Sequence, residues 1–241
     1  MQDNNIMSVT FIILNYYQSS YIRYIIQSIR YSRIFINYNI VIVDNNSDIQ
    51  DLAKIHNVYI ISNQCPNNKS KSRNLGIKYS LNTHMVFIDG DDYLIPLLLS
   101  KALGVCLKRY DSLFCQRLQF NDKNRLVNSR NKFATHSIII SRSMSIKHNI
   151  FFEENIFNFI YEDLFFLTLY RDKIATNGYN IINANYVIYN QVLVLNKYNI
   201  QPKYILYIFN VLYKYLHSDE IRRCMINRFC QKYTDVLLNE D

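Results

Sequence analysis

Residues 85–96 read MVFIDGDDYLIP, and their reading decides the fold. An apolar run, Met85-Val86-Phe87-Ile88, stops at Asp89, Gly90, Asp91 and Asp92, and a second apolar run with a proline near its start follows. A short apolar run bounded by turn residues is the pattern of a buried strand. The stretch therefore predicts a strand that carries carboxylates to its C-terminal end, then a turn, then a helix. In open α/β sheets that edge is where ligands bind. Carboxylates packed this closely repel one another, and a hard divalent cation with oxygen ligands is the natural counter-charge.

Upstream, Ser8 to Leu14 (SVTFIIL), Asn39 to Val43 and Val58 to Ile61 are further short β-branched runs, each a predicted buried strand. Between them, Tyr21, Ile22, Ile25, Ile26 and Ile29 recur at helical spacing, with Ser19 or Ser20 as the predicted cap. Ile49 to His56 reads as a short helix, and Lys71 to Ser80 as a longer one that leads into the Met85–Ile88 strand. The order is β-α-β-α-β-α-β with short connections, which predicts a mostly parallel sheet with helices on both faces. Polar residues gather at strand ends, at Asn15 to Tyr17, Asp44 to Ser47 and Asp89 to Asp92. The glycine fingerprints GxGxxG and GxxxxGK are both missing from the sequence, which argues against dinucleotide-binding dehydrogenases and P-loop enzymes.

Downstream the pattern changes. Leu94 to Leu107 reads as a helix, Ser112 to Phe120 and Ser137 to Ile140 as strands around a polar loop (Asn121 to Lys132), and Ser143 to His148 as a short helix. Phe151 to Asn158 reads as a loop, Tyr161 to Tyr170 as the start of a helix, and Val187 to Leu195 as a last strand. This predicts a smaller mixed sheet. From Gln201 the chain reads as helical. The expected division is a catalytic domain over 1–200, with halves 8–100 and 101–200, and a helical extension over 201–241.

The bulk properties agree with a folded domain. Of 241 residues, 49% are apolar and 19% charged, a balance that disfavours disorder. Tyr, Ile, Asn and Lys are abundant while Gly (4), Pro (3) and Trp (0) are scarce, as an AT-rich gene would give. The net charge of +8 and the pI of about 9.1 favour anionic partners: nucleotides, nucleic acid or an acidic membrane surface. No secretory leader or membrane span is read, and the five cysteines show no zinc spacing, so free thiols in a reducing cytoplasm are expected.

Each chemical motif has a plainer alternative. Asp91 can ligate Mn2+ or Mg2+ that bridges two phosphates, with Asp89 accepting from a ribose hydroxyl; alternatively one of these acids caps a helix and the rest are solvated. Asp44 can accept from the N3–H of a uracil or thymine ring; alternatively it closes the strand in an Asx turn. Lys69, Lys71 and Arg73 open a helix and suit an anion, or form a solvated basic face. Glu162 and Asp163, beside apolar surface in FIYEDLFF, can supply a base, or favourable acids in a helix's first turn. The scattered histidines show no ligand spacing.

Taken together, the segments resemble the family 2 glycosyltransferases of the GT-A fold. The family's opening strand (VVILNYN) is matched by Val9–Tyr17, VTFIILNYY, and its VDNNS turn by Ile40–Asp48, IVIVDNNSD. Its ARNxGI helix start corresponds to Ser72–Ile77, SRNLGI, its FLDSDD strand end to Phe87–Asp92, FIDGDD, and its ED pair before aromatics to Glu162–Phe166. The resemblance covers about residues 8 to 195. It implies that Asn15, Tyr16, Tyr17 and Asp44 line the donor's base pocket, with Asn46 a further donor contact. Arg73 is then near the base and diphosphate, Asp89 and Gly90 face the donor, and Asp91 binds Mn2+ or Mg2+. Asp163 is implied as the catalytic base and Glu162 as an acceptor contact.

The resemblance further implies an inverting, metal-dependent hexosyltransferase that moves a sugar from a UDP-sugar or other nucleoside diphosphate sugar to a hydroxyl of a glycan. An undecaprenyl-linked acceptor in surface polysaccharide assembly (O-antigen, lipopolysaccharide or capsule) is the associated expectation. The implied setting is cytoplasmic, with peripheral contact at the inner membrane face and a homodimer as a candidate assembly; nucleic acid is not expected. A nucleotidyltransferase and a non-catalytic sugar-nucleotide-binding subunit are the rival readings. Three departures stand out. Tyr17 replaces the family's Asn, Asn68 stands where Gly is usual, and Tyr186–Leu195 carries neither His nor Arg to clamp a diphosphate. The basic amphipathic pattern after Gln201 suits either an anionic membrane or packing on the catalytic domain.

Overall fold

A computed structural model describes residues 8–16, 19–45, 49–64, 68–109, 112–115, 118–120, 126–128, 138–154, 162–174, 180–182 and 187–189. The expected helices after 201, and the expected roles of Tyr17 and Asn46, lie outside these residues.

The first half follows the alternating pattern. Strand β1 (Ser8–Asn15) is followed by α1 (Ser19–Tyr31), β2 (Asn37–Asp44), a short 3-10 helix (Gln50–Lys54) and β3 (Val58–Ser62). Helix α2 (Lys69–Tyr79) and β4 (His84–Asp89) complete it. β1 pairs in parallel with both β2 and β4, and β2 with β3, so these strands end on one edge, with Asn15 beside Asp44 and Leu14 beside Asp89. Ser19 and Ser20 lie within α1 and so do not precede it as caps.

The later elements are β5 (Tyr93–Leu94), α3 (Pro96–Arg109), β6 (Leu113–Cys115), β7 (Leu118–Phe120) and β8 (Leu126–Asn128). After them come β9 (Ile138–Ser141), α4 (Arg142–Lys147), α5 (Glu162–Ile174), β10 (Asn180–Ile182) and β11 (Val187–Tyr189). The large sheet runs β10-β6-β9-β4-β1-β2-β3, and a small mixed sheet runs β5-β11-β7-β8. β9 enters antiparallel to β4 and to β6, so the large sheet is mostly but not wholly parallel.

Three expectations need correction. Ser112–Phe120 is not one strand: β6 joins the large sheet and β7 the small one. The polar loop of 121–132 contains β8, which pairs with β7. Leu94 belongs to a strand that pairs with β11, and the helix begins at Pro96, where a missing N–H costs nothing.

Strands apolar on both faces are what a sheet covered on both sides requires. Val9, Phe11 and Ile13 of β1 join Ile40, Ile42, Val86 and Ile88 on one face, under Ile22, Ile25, Ile26 and Ile29 of α1 and Leu99 and Leu103 of α3. Ile12, Leu14, Val41, Val43, Met85 and Phe87 point to the other face, under Ile77 of α2 and Phe166, Leu167 and Tyr170 of α5. α2 lies tight on the sheet: a Cβ on Gly76 would collide with the Ile12 side chain. Tyr170 is fully buried, and its hydroxyl accepts from the Ser141 amide at 3.0 Å and bonds the Ser112 hydroxyl at 2.6 Å, which ties α5 to the sheet's far strands. Cys106 and Cys115 are buried free thiols. Among the described residues no helix is long and apolar enough to cross a membrane.

Candidate functional site

The C-terminal edge of the parallel strands carries two polar assemblies. The first is built from amides. Asn15, at the end of β1, is fully buried and donates from Nδ2 to Asp44 Oδ1 at 2.9 Å. Asn45 donates to the Asn15 carbonyl at 3.1 Å. Asn63, just past β3, donates to Asn45 Oδ1 and to Ser72 Oγ, both at 2.8 Å. Ser72 returns a bond to Asn45 Oδ1 at 3.2 Å. Buried amides are tolerated because they satisfy one another. The result joins the ends of β1, β2 and β3 to the first turn of α2. Tyr16, next to Asn15, keeps an exposed ring at the rim.

The second assembly is ionic. Arg73 follows Ser72 on α2 and is only 2% exposed. Its Nη1 donates to Glu162 Oε1 at 2.7 Å and its Nη2 to Asp89 Oδ1 at 3.2 Å. One guanidinium thus bridges the end of β4 and the start of α5. Burial alone would lower its pKa, but Asp89, Glu162 and Asp163 together more than offset that and hold it above the ordinary arginine value. For Glu162, burial pushes the carboxyl above the usual glutamate range, against the pull of Arg73. Asp163 is half-buried in the same helical turn.

Aromatic rings and a loop support this bridge. The Arg73 guanidinium lies over the Phe152 ring at 5.2 Å, within cation–π range. Phe152 stacks on Phe166 of α5 with centroids 4.0 Å apart and planes 4° apart, and both meet Phe87 of β4 edge-on. Asn74 fixes the Phe152 segment from α2, donating to the Phe152 carbonyl and accepting from its amide, each at 2.8 Å. Asn68 caps α2 by accepting from the Lys71 amide, and its φ of −109° is ordinary extended backbone. The Gly-to-Asn departure there therefore needs no left-handed residue.

The turn after β4 places its acids unequally. Asp89 faces Arg73, Asp91 is half-buried on the turn, and Asp92 is buried at 1% exposure with its amide bonded to the Asp89 carbonyl. Asp92 directly precedes β5, so it does not cap the helix that follows. Gly90 lies on the same turn. Of the basic helix start, Lys69 is exposed and close enough to act on Glu162, while Arg73 is committed to carboxylates.

Asn15, Asp44, Arg73, Asp89 and Glu162 are thus joined through named contacts on one edge, with Tyr16, Gly90, Asp91 and Asp163 adjoining them in the chain. Asn63, Ser72, Asn74 and Phe152 were not singled out as site residues from the sequence. An Asn directly at or after each of the first three strands (Asn15, Asn45, Asn63) was the available signal for the amide assembly. A groove of about 730 Å³ is lined by Asn74, Lys78, Arg142, Ile146, Phe152 and Glu154, among others. It lies toward the end of α2 and the start of α4, where the Arg142 amide meets the Thr83 carbonyl before β4, and none of the edge carboxylates line it.

Comparison with known proteins agrees with this architecture. S. aureus TarS (residues 1-349) in complex with UDP superposes with a TM-score of 0.72 at 17% identity, covering 93% of this chain and 72% of that one. The complex of the same fragment with UDP-GlcNAc gives 0.71 at 15% identity, covering 95% and 73%. A third TarS structure gives 0.66 at 16% identity and covers 94% of this chain but 43% of that one. No curated protein matches. The model of the family described as "Glycosyl transferase family 2" matches residues 10–170, a span that begins in β1, crosses the carboxylate edge and ends at the buried Tyr170. With that match laid over a parallel sheet whose edge joins Asp89 to Glu162, the chain belongs to glycosyl transferase family 2 and has the GT-A fold.

Proposed function

We propose that this chain transfers a sugar from a nucleoside diphosphate sugar, specifically a UDP-sugar, to a hydroxyl of a glycan or lipid-linked glycan, with inversion at the anomeric carbon. The observation that supports it best is the convergence of Asp89, at the end of β4, with Glu162 and Asp163 of α5 on a single buried arginine. Similarity to structures determined with UDP and UDP-GlcNAc favours UDP as the carrier. So does Asp44, a strand-end carboxylate that already accepts one N–H donor and suits the N3–H of uracil. The exposed Tyr16 ring suits stacking on the base.

In this proposal the acceptor oxygen bonds to the anomeric carbon as the carbon–oxygen bond to the β-phosphate breaks. The bonding pair leaves with UDP, and the hydroxyl proton passes to the Asp163 carboxylate. Asp163 is half-buried in the first turn of α5, beside Glu162, and is the carboxylate assigned as the base.

Among the described residues no three His, Cys, Asp or Glu side chains converge into a complete metal cage. The half-buried Asp91 is the carboxylate that would hold Mn2+ or Mg2+. Such an ion, when bound, offsets charge on the departing diphosphate. A chain of net charge +8 suits an anionic membrane surface, where a polyprenyl-linked acceptor of a surface polysaccharide would be met.

A thermal-shift panel of UDP, dTDP, GDP and CDP, each with and without Mn2+, tests the donor assignment. UDP should raise the melting temperature, and more so with Mn2+. Failure of all four nucleotides to stabilise the protein would overturn the proposal.

A further inference from the structure

Arg73 sits where a diphosphate-binding arginine is expected, yet its geometry suits another task. A phosphate-binding guanidinium presents its fork of N–H donors to the ligand. Here each terminal nitrogen already holds a different carboxylate, Glu162 at 2.7 Å and Asp89 at 3.2 Å, and one face of the group lies over Phe152. The side chain is 3% exposed, and its Nε is buried without a hydrogen-bond partner among the described residues. An unsatisfied buried donor is costly. The guanidinium therefore stays in a pose that leaves one donor unmet because the pose joins two elements.

Those elements are the end of β4, which leads into the Asp91 turn, and the first turn of α5, which carries Asp163. We infer that Arg73 is a positioning residue that sets the distance between the acceptor-side helix α5 and the donor-side edge of β4, without contacting the donor. Two features make it suited to this. A planar fork can hold two carboxylates in fixed directions, which an ammonium cannot do. Ser72, its chain neighbour, is also locked into the amide assembly at the ends of β1, β2 and β3, so the bridge is referenced to the base pocket.

The inference rests on the glycosyl-transfer reading of the site. Its test uses the full chain with Arg73→Lys, Glu162→Gln and the double variant. UDP binding with Mn2+ is followed by calorimetry, kcat and KM by UDP release from UDP-GlcNAc, and local order by amide hydrogen exchange. Arg73→Lys should lower kcat about 100-fold, the size expected for a misplacement of about 1 Å, with UDP affinity unchanged and faster exchange in the first turn of α5. The double variant should lose no more than Arg73→Lys, because one bridge is broken in both.

A parallel fall in UDP affinity, which would make Arg73 a donor contact, overturns the inference, as does an unchanged kcat in folded protein. Should Arg73→Lys not fold, Glu162→Gln, which leaves the Asp89 contact in place, should still lower kcat about tenfold at unchanged UDP affinity; an unchanged kcat sinks the inference. Should the parent neither bind UDP nor release it, the transfer reading fails. Hydrogen exchange then decides the bridge alone: faster exchange confined to α5's first turn supports it, and unchanged exchange refutes it.

Discussion

The two ends of the carboxylate edge are held by different chemistry. Toward β3 the holding groups are neutral: Asn15, Asn45, Asn63 and Ser72 satisfy one another, with Asp44 the one acid among them. Toward α5 the holding groups are charged, with Arg73 between Asp89 and Glu162 over an aromatic floor. A neutral network fixes shape over a wide pH range, and each bond adds modestly to stability. A buried ionic bridge is more directional, but removal of one member strands a charge in low dielectric. In this molecule the directional bridge joins the end of β4 to the start of α5, and the neutral network joins the ends of β1, β2 and β3 to α2.

The sharpest way to break that contrast is to remove the shared cation. Arg73→Met should destabilise the fold by about 3–5 kcal/mol, because Glu162 and Asp89 lose their partner; urea denaturation reads this directly. Asn63→Ala, which removes donors to Asn45 and Ser72, should cost about 1–3 kcal/mol by the same measurement. Equal losses in the two variants would erase the distinction between the networks.

Acidity offers a finer probe. Glu162 has a folded pKa raised above its unfolded one. Its contribution to stability is thus fully present below the ordinary glutamate value of about 4.3 and is lost as pH rises through the raised value. The melting temperature of the parent should therefore fall relative to Glu162→Gln as the pH is raised from acid toward neutral. Asn63→Ala should shift the parent's profile without changing its shape. As a surface control, Arg23→Ala breaks the half-exposed Arg23–Asp51 pair and should cost about 0–1 kcal/mol.

Much of this arrangement was legible in the sequence because local pattern and global role coincide. Runs such as Phe11–Leu14 and Met85–Ile88 are apolar at every step, and only a strand buried on both faces needs that. Each ends in Asn or Asp, which marks the rim. The small sheet was harder. β5 and β8 are at most three residues long, and β5 owes its existence to a partner distant in the chain, so no local period announces them.

The bridge was harder still. Arg73, Asp89 and Glu162 were each singled out, yet nothing local says that one arginine pairs with acids 16 and 89 residues away. Phe152 carries no signal at all until Phe166 and Arg73 are seen on either side of it.

The most direct test of the proposed chemistry is the substitution Asp163→Asn, assayed for UDP binding and for sugar transfer or UDP release in the same preparation. A catalytic base predicts UDP stabilisation equal to the parent's together with turnover reduced by about 10²–10⁴. Turnover equal to the parent's, in folded protein that still binds UDP, would contradict the assignment of Asp163 and with it the role of α5 as the acceptor-side helix.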